Sequence, residues 1–389
     1  MGLNYEDYIQ KWLGGIAYEI AFWNSYMANE GGSYFFDFYR TVSGDRKFEL
    51  DDDIPQTMYG KEYSFIDVGS GPFSRCGVVS SVVILDAISV DPLAYVYNEL
   101  KSKFKIDNGI KLINGFVELL DKQFAENSFD MVHMSNSLDH CFSPVDGIYQ
   151  LLNVCKIGGK VVLRHHENEA QNENYKGLHQ WNLSLNNPEK SFIVWRRGER
   201  IDICKVFEDY ADFELYPNQK EGENWVYNKV IMTKVKGITM PNNDYYGRLL
   251  DMFYKSLVME YMDKALKCNK ENGVDGRLKE IRRVFHKYCD NKSLNANAKY
   301  KGKVGIYGYG KYGKNLCYLL KQMQYDVYAI FDIKGTESGC REAIPIDEAG
   351  YIEEIEQVIV TVKDDEVFDK IRALGYKKVI SMDEFLSVL

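Results

Sequence analysis

The sequence lacks the cysteine pattern of zinc-stabilised and disulfide-stabilised folds. Its eight cysteines are scattered along 389 residues, and no two of them form a CxxC pair. This spacing indicates neither a zinc ribbon nor a disulfide framework. Because scattered free thiols are typical of reducing compartments, we expect a cytoplasmic protein.

Long apolar runs are also missing. No stretch approaches the roughly 20 apolar residues that span a bilayer. The first residues, MGLNYEDYIQKWLGG, carry charges where a signal peptide has its apolar core. Glu6 breaks the myristoylation pattern that would begin at Met1-Gly2. We therefore expect a soluble protein with no membrane span.

An excess of positive charge is absent as well. The chain has 48 Lys and Arg against 57 Asp and Glu, for a formal net charge of -9. Because nucleic-acid binding depends on clustered positive charge, this balance argues against a nucleic-acid partner. One basic stretch, WRRGER at 195–200, suits either a single bound phosphate or a solvated turn between strands.

Two series of alternating strand and helix patterns are present, separated by a helical stretch. A length of 389 residues already favours two domains. Alternating patterns predict an α/β fold in which helices cover parallel sheets. The predicted parts are an N-terminal helical segment, a Rossmann-like sheet domain, a helical connector and a second, smaller Rossmann-like domain. Their ranges are 1–60, 61–236, 237–300 and 301–389.

The first sheet pattern begins with a glycine-rich turn, FIDVGSGPFS at 65–74. Gly69 and Gly71 let the backbone bend tightly and approach a ligand. A helix is expected next, with Pro72 in its first turn and free N–H groups at its start. Asp91 ends the second predicted strand, 20 residues after Gly71. An acid at this distance commonly accepts hydrogen bonds from ribose hydroxyls.

Three later segments continue the pattern: KLINGFVELL (111–120), SFDMVHMSNSLDH (128–140) and KIGGKVVL (156–163). Together with DVGSG and SVDP, they resemble class I S-adenosylmethionine-dependent methyltransferases over roughly residues 60–235. Pro72 departs from the family, since many members have a further glycine there. The resemblance implies S-adenosyl-L-methionine as cofactor. It also implies that the N-terminal helices form a lid over the acceptor; plain core packing is their alternative role. The implied cofactor-binding residues are Asp67, Gly69, Ser70, Gly71, Asp91, Glu118, Ser135 and Asn136.

Candidate catalytic residues follow the ends of two predicted strands. A hydroxyl acceptor must lose its proton during methyl transfer, and a neutral histidine suits this role. His165 and His166 end the fifth strand, and successive strand residues face opposite sides, so at most one is expected to point into the cleft. Asp139 and His140 follow the fourth strand, where His140 either takes part in catalysis or caps the next helix. His133, inside the fourth strand, is predicted to be a core histidine.

The stretch HHENEAQNENYKGLHQW at 165–181 holds three of the six histidines. We predict no metal site in it, because its histidines and Glu167 lack the spacing of helical zinc ligands. A Mg²⁺ site on the oxygens of Glu167, Glu169 and Glu173 is the alternative, although these residues are better explained as solvated loop acids. Its aromatic and amide groups are typical of a carbohydrate pocket. The predicted substrate contacts are Tyr175, His179, Gln180 and Trp181. Packing of Trp181 under the sheet is the alternative.

A second glycine-rich turn lies in KVGIYGYGKYGKNLCYLL at 303–320, with Gly308, Gly310 and Gly313. Asp332 follows 24 residues after Gly308, which as a bare motif predicts NAD binding. The 87 residues from 303 to 389 provide only one mononucleotide half, however.

The segments IYGYGKYGKN, AIFD and VIVTVKDDEVFDKI in this second domain resemble the N-terminal Rossmann-like domain of bacterial sugar O- and N-acetyltransferases. That resemblance implies a nucleotide-sugar site at these three glycines and Asp332. It does not imply acetyl transfer, because the acetyltransferase β-helix is missing. A docking or dimerisation module is the alternative.

The sequence thus predicts a cytoplasmic methyltransferase acting on a sugar in a nucleotide-linked or surface-glycan precursor, in polysaccharide biosynthesis. Two alternatives remain open. One is methylation of another small metabolite, with the C-terminal domain as an NAD or nucleotide sensor. The other is a non-catalytic assembly protein, although the intact DVGSG and SVDP motifs argue against it. A homodimer is a possible assembly under each of these interpretations.

Overall fold

The computed structural model describes residues 5–44, 46–186, 188–221, 225–239, 258–267, 275–290, 302–335 and 343–389. The chain divides into two compact units. The first comprises Met1–Ala28 and Arg40–Lys270, and the second Asn29–Tyr39 and Glu271–Leu389. Much of the predicted connector at 237–300 lies outside the described residues. The four predicted domain ranges stay a prediction.

The first unit is built on a seven-stranded sheet in the order β3-β2-β1-β4-β5-β10-β9. Strands β1 to β5 are parallel, as the alternating pattern predicts, but β10 runs antiparallel to both β5 and β9. The strands β6 to β8 form a separate three-stranded antiparallel sheet. The bounds are β1 Glu62–Val68, β2 Ile84–Asp91, β3 Lys111–Asn114, β4 Phe129–Ser135, β5 Cys155–His165, β6 Asn182–Asn186, β7 Ser191–Arg196, β8 Glu199–Asp202, β9 Ala211–Glu221 and β10 Trp225–Lys234.

Helices accompany this sheet, beginning with the long α1 at the N-terminus. Its buried Trp12, Ile16 and Ile20 recur at helical spacing, which is why this segment folds as a helix with one apolar face. The predicted helical character of residues 1–60 ends at Val42. Further along, Lys47 forms a β-bridge with Val79, and Asp51–Asp53 and Gln56–Met58 form short 3-10 turns. The helices of this unit are α1 Tyr5–Ala28, α3 Ala94–Phe104, α4 Pro144–Val154, α5 Glu169–Asn172, α6 Ile203–Val206 and α7 (258–267), whereas α2 Phe35–Val42 belongs mostly to the second unit.

The helix predicted after the first glycine-rich turn is absent, and that prediction was wrong. Residues 69–83 form turns and bends between β1 and β2. This segment instead pairs with residues 46–49, where Val78 and Val79 donate backbone hydrogen bonds to Arg46 and Glu49 donates one to Cys76. A segment rich in Gly, Ser and Val has little intrinsic helix preference, so these backbone pairs decide its conformation.

The Gly158-Gly159 pair lies inside β5 and not in a turn before it. The strand already begins at Cys155, and its register against β4 shifts between Phe129 and Met131. Gly158 has φ of 81°, a conformation that suits glycine and produces a β-bulge here.

The second unit has a fully parallel five-stranded sheet in the order β13-β12-β11-β14-β15. This is the strand arrangement of a doubly wound α/β fold, so the predicted Rossmann-like sheet is present. The elements are α8 Gly276–Asp290, β11 Lys303–Tyr307, α9 Lys311–Gln322, β12 Asp326–Phe331, β13 Ala343–Ile344, β14 Gln357–Val360, α10 Asp365–Ala373, β15 Val379–Ser381 and α11 Met382–Ser387. Among the helices of the described residues, none has the length and apolar character to cross a membrane.

The glycine-rich turn of the second unit leads to a stability prediction. A Cβ at Gly313 would lie 1.8 Å from the carbonyl oxygen of Gly308, whereas a Cβ at Gly310 would meet nothing within 4 Å. We expect Gly313→Ala to destabilise the second unit by about 3 kcal/mol. The matched Gly310→Ala should change stability by less than about 0.5 kcal/mol.

Urea unfolding followed by circular dichroism measures this difference. All five tryptophans lie in the first unit, so tryptophan fluorescence follows the unfolding of that unit alone. We expect the unfolding midpoint from fluorescence to be the same in both variants, which makes it an internal control. Equal unfolding midpoints for the two variants would contradict the close glycine packing.

Candidate active site

The carboxyl ends of β1, β2 and β4 surround one cavity in the first unit. All eight residues predicted to bind the cofactor line it: Asp67, Gly69, Ser70, Gly71, Asp91, Glu118, Ser135 and Asn136. Parallel strands end at the same edge of a sheet, which is why residues scattered over 70 positions meet there. The structure therefore brings the whole predicted cofactor set together.

Asp91 connects the end of β2 to the glycine-rich turn. One carboxylate oxygen accepts a hydrogen bond from the Gly71 amide at 2.9 Å, and the other from the Leu93 amide at 2.8 Å. Burial raises the pKa of Asp91 to about 7, although these two donors oppose the shift; Glu19 and Asp67 add to it. The carboxyl group thus both shapes the turn and faces the cavity.

Glu118 plays a similar part on the opposite wall of the cavity. Its Oε1 accepts hydrogen bonds from the amides of Phe142 and Ser143, at 3.0 and 3.2 Å. Its side chain is buried, and this burial raises its pKa to about 8. The carboxylate thereby fixes the segment that follows Asp139 and His140.

Asp67 is held by a buried network behind the cavity. His133 donates through Nδ1 to Asp67 Oδ1 at 2.7 Å and accepts at Nε2 from Arg164 Nε at 2.9 Å. Arg164 also contacts Cys76 Sγ at 3.3 Å and Glu49 at 3.2 Å. His133 is fully buried with both ring nitrogens bonded, so its prediction as a core histidine is confirmed.

The glycine-rich turn fits closely against its neighbours. Gly69 and Gly71 have φ of 64° and 61°, in the region that favours glycine. A Cβ on Gly69 would lie 2.4 Å from Ser137 Oγ, and one on Gly71 would lie 3.1 Å from the Trp23 ring. Any side chain at either position would intrude on the cavity wall.

The cavity chemistry fits S-adenosylmethionine. Glu19, Asp67, Asp91 and Glu118 line the wall, and their carboxylates suit a ligand with a sulfonium and an ammonium group. The buried oxygens Ser135 Oγ, Asn136 Oδ1 and Ser137 Oγ have no hydrogen-bond partner among the described residues. Buried polar atoms of this kind are ordinarily satisfied, so they mark the places where a polar ligand binds.

The raised pKa of Asp91 predicts pH-dependent cofactor affinity. The family resemblance implies that ribose hydroxyls donate to the ionised carboxylate, and in that case binding favours the deprotonated form. We expect affinity to weaken as pH falls below about 7, by up to tenfold per pH unit, and to level off above it. Calorimetric titrations from about pH 5.5 to 8.5 measure this. Asp91→Asn is the control; the same pH step in that variant would contradict the assignment to Asp91.

Three side chains of α1 line the cavity without having been predicted as site residues: Trp12, Glu19 and Trp23. They recur at helical spacing, and Trp23 Nε1 donates to Glu19 Oε1 at 2.7 Å. The two tryptophans belong to the aromatic pattern visible in the sequence. Glu19 carried no recognisable signal, because an acid within an amphipathic helix usually faces solvent.

Asp139, His140 and His179 form a cluster beside this cavity, and His140 is part of its wall. His179 Nδ1 lies 2.6 Å from Asp139 Oδ2 and 3.2 Å from His140 Nε2. The Asp139 side chain is only 1% exposed. Its backbone oxygen accepts from the amides of Gln180 and Trp181, at 3.0 and 3.1 Å, which joins two segments 40 residues apart.

The two histidines at the end of β5 do not line the cavity. His165 is 1% exposed and stacks on Phe192 with ring centroids 5.3 Å apart. Burial lowers the pKa of His165 to about 4. The His166 ring nitrogen Nδ1 lies 2.9 Å from the Val226 carbonyl oxygen. Their catalytic role stays a prediction.

The predicted substrate loop has two buried side chains, Gln180 and Trp181, and an exposed one, Tyr175. Gln180 and Trp181 are each 2% exposed. The Trp181 ring packs edge-on against Tyr8, and the Arg196 guanidinium lies 4.1 Å from its centroid. Tyr175 is exposed and accepts a hydrogen bond from Asn182. Sugar contacts by this loop stay a prediction.

In the second unit, Asp332 relates to its glycine-rich turn as Asp91 does in the first. Its carboxylate accepts from the Tyr309 and Lys334 amides at 2.7 and 2.9 Å. Gly308, at φ of 89°, donates from its amide to the Phe331 carbonyl. Near the turn is an open cavity of about 620 Å³, lined by Asp275, Gly276, Arg277, Tyr312, Thr361, Val362 and Lys363.

Comparisons with known proteins found one matching family model and solved structures of low sequence identity. A family model described as "Methyltransferase domain" matches residues 66–163. No curated protein matches the chain. The YcgJ protein of Bacillus subtilis is 14% identical, with 47% of this chain and 96% of that one covered and a TM-score of 0.33. A Thermotoga maritima methyltransferase, titled a possible histamine N-methyltransferase, is 15% identical, with 55% and 99% covered and a TM-score of 0.35.

The matched range begins in β1 and ends in β5, so it contains the glycine-rich turn, Asp91, Glu118 and the end of β4. Residues 66–163 are a class I S-adenosylmethionine-dependent methyltransferase domain, and the protein is a methyltransferase that uses S-adenosyl-L-methionine.

Proposed function

We propose that this methyltransferase methylates a hydroxyl group of a sugar, in a nucleotide-linked or surface-glycan precursor. One observation carries the proposal: buried oxygens without a hydrogen-bond partner among the described residues extend beyond the cavity-lining 135–137, which the cofactor does not fully account for, to residue 139 and to 169–180. They are Ser135 Oγ, Asn136 Oδ1, Ser137 Oγ, Asp139 Oδ1, Glu169 Oε2 and Gln180 Oε1. Leaving such atoms unpaired costs free energy. An acceptor with several hydroxyl groups supplies the missing donors.

Methyl transfer to a hydroxyl places two requirements on the residues around the acceptor oxygen. S-adenosylmethionine supplies an electrophilic methyl group when it is bound. The new O–C bond forms as the S–C bond breaks, the electron pair stays on sulfur, and the hydroxyl proton must leave. The chain therefore has to hold the acceptor oxygen in line and assist loss of its proton. His140 is in the cavity wall and Asp139 and His179 adjoin it, which supports this role for the cluster.

Glu169 adds a second titratable group near this wall. Its Oε1 accepts from Asn136 Nδ2 at 3.1 Å, while Oε2 is buried and unpartnered. Burial raises the pKa of Glu169 to about 7, and the charge of Asp139 adds to the shift. A carboxyl group in this state can donate to or accept from a sugar hydroxyl.

The second unit supports a nucleotide-linked acceptor. Its parallel sheet carries the glycine-rich turn with Asp332, and Arg277 and Lys363 line the adjacent cavity. Positive side chains beside a glycine-rich turn suit a diphosphate. Calorimetry on the full chain with UDP-, GDP-, dTDP- and CMP-sugars tests this part. Weaker sugar-nucleotide binding in Arg277→Ala would support it, whereas binding of NAD and none of the sugars would favour the sensor alternative.

The acceptor itself is tested by a transfer assay. The full chain is incubated with S-adenosylmethionine carrying a labelled methyl group and either the nucleotide-sugar panel or a panel of phenols, amines and thiols. We expect label in a sugar product that is stable to mild alkali, as an ether is. Label only in the second panel would overturn the sugar proposal and favour methylation of another small metabolite.

A further inference from the structure

We propose that Asp139, His140 and His179 bind a divalent first-row transition-metal ion beside the cofactor cavity. The ion would keep a coordination position open toward the cavity for the acceptor oxygen. Only the role given to the ion rests on the proposed function; the binding site itself stands on geometry. The sequence predicted no metal site, because its spacing gives no sign that these residues meet.

Three candidate ligand atoms converge on one point. His179 Nδ1 lies 2.6 Å from Asp139 Oδ2 and 3.2 Å from His140 Nε2. The distance from His140 Nε2 to Asp139 Oδ2 is 3.6 Å. Ligand atoms bound about 2.0–2.2 Å from one ion, at tetrahedral or octahedral angles, lie about 3 Å apart. The three atoms therefore need only small shifts to enclose an ion.

Hydrogen bonds satisfy this arrangement only in part. If His179 Nδ1 alone carries a proton, it donates to Asp139 Oδ2, and Asp139 Oδ1 stays buried without a partner among the described residues. If both facing ring nitrogens carry protons, two N–H groups compete for Asp139 Oδ2 while Oδ1 stays buried without a partner. If neither carries a proton, lone pairs of the two nitrogens face each other and a carboxylate. A bound cation accepts one lone pair from each of His179 Nδ1, His140 Nε2 and Asp139 Oδ2 at once, so these three atoms no longer compete.

The backbone around the cluster is fixed, as a metal site requires. The Asp139 carbonyl oxygen holds the amides of Gln180 and Trp181, and Lys11 Nζ donates to the His179 carbonyl at 3.2 Å. Gln180 follows His179 in the sequence, and its Oε1 is buried without a hydrogen-bond partner among the described residues. This oxygen is a candidate fourth ligand for the ion.

Two imidazoles and one carboxylate favour Zn²⁺ or Fe²⁺ over Mg²⁺, which prefers oxygen ligands only. Three protein ligands with an open position are typical of catalytic rather than structural ions. An ion that binds an acceptor hydroxyl lowers its pKa and fixes its direction. This serves methyl transfer because the hydroxyl proton has to leave.

A second group of possible metal ligands differs from this cluster in having a positive charge already in contact with it. Asp67, Cys76 and His133 also approach one another, but Arg164 donates to both His133 Nε2 and Cys76 Sγ. A guanidinium at the centre of that group already occupies the place of a cation. The group is therefore a hydrogen-bond network, and it carries no metal proposal.

The test uses tag-free, full-length protein that has been treated with a chelator and then titrated with Co²⁺ or Zn²⁺. We expect one ion per chain by elemental analysis, and visible d–d absorption for Co²⁺. Asp139→Asn, His140→Ala and His179→Ala should each weaken Zn²⁺ binding at least 100-fold. His286→Ala, an exposed histidine of the second unit, is the matched control and should bind Zn²⁺ like the unchanged protein.

Binding of S-adenosylhomocysteine to each variant shows that its cofactor cavity is folded. Unchanged protein that retains less than about 0.1 ion per chain would overturn the proposal. Zn²⁺ affinity in all three variants equal to that of the unchanged protein would overturn it too. If metal binds as expected but no sugar is methylated, the metal site stands and the acceptor proposal fails. The reverse result, sugar methylation at full rate in metal-free protein, removes the ion's role.

Discussion

Asp91→Ala is expected to weaken S-adenosylmethionine binding at least 100-fold, or about 2.7 kcal/mol. The carboxylate is buried at the cavity wall and accepts from the amides of Gly71 and Leu93. Its loss leaves two buried donors unpaired and releases the glycine-rich turn. An unsatisfied buried donor costs about 1–3 kcal/mol, so the expected loss is the sum of modest terms.

Isothermal titration calorimetry measures this effect, with Asp86→Ala as the matched control. Asp86 is on the same strand, β2, but its side chain is exposed, so its replacement should leave affinity within about twofold. Asp91→Asn keeps the shape but not the charge, and we expect an intermediate loss. Unchanged binding in Asp91→Ala would mean that the cofactor does not use this cavity.

The second large effect is expected at Asp139, His140 and His179, the cluster that we propose to assist proton loss from the acceptor. Asp139→Asn and His179→Ala should each lower kcat about 1000-fold, while the affinity for S-adenosylmethionine changes less than about threefold. We expect the loss of turnover because Asp139 contacts His179 at 2.6 Å and both residues adjoin His140 in the cavity wall. We expect little change in cofactor affinity because neither Asp139 nor His179 lines the cavity itself.

The double variant His165→Ala/His166→Ala tests the sequence-based alternative, in which the histidines at the end of β5 supply the base. If that alternative holds, the double variant loses turnover and keeps cofactor binding, while Asp139→Asn stays active. Loss of cofactor binding in the double variant would instead mean that this strand end is structural. Thermal unfolding of each variant separates a lost catalytic group from a lost fold.

The cofactor side of the site was readable from the sequence because its signals are local. Gly69 and Gly71 follow directly on an apolar strand, and Asp91 ends the next one at a spacing set by one strand-to-strand connection. Such motifs need no knowledge of distant contacts. The same reasoning failed for residues 69–83, since their pairing with 46–49 is a tertiary contact that overrides local preference.

The acceptor side depended on contacts between distant parts of the chain. His179 and Asp139 are 40 residues apart and meet because the Asp139 carbonyl binds the amides of Gln180 and Trp181. Likewise, a close approach of α1 brings Trp23 to Gly71. Neither meeting leaves a periodic or spaced pattern that a reader of the sequence could detect.

The sequence by itself determined that this is a two-part α/β protein with a methyltransferase cofactor turn, because strand periodicity and turn chemistry act over a few residues. Only the tertiary structure decided which polar groups share the acceptor wall. It stacked the buried His165 on Phe192 and brought Asp139, His140 and His179 to one point. Burial and packing between distant segments decide such choices, and they are properties of the folded chain.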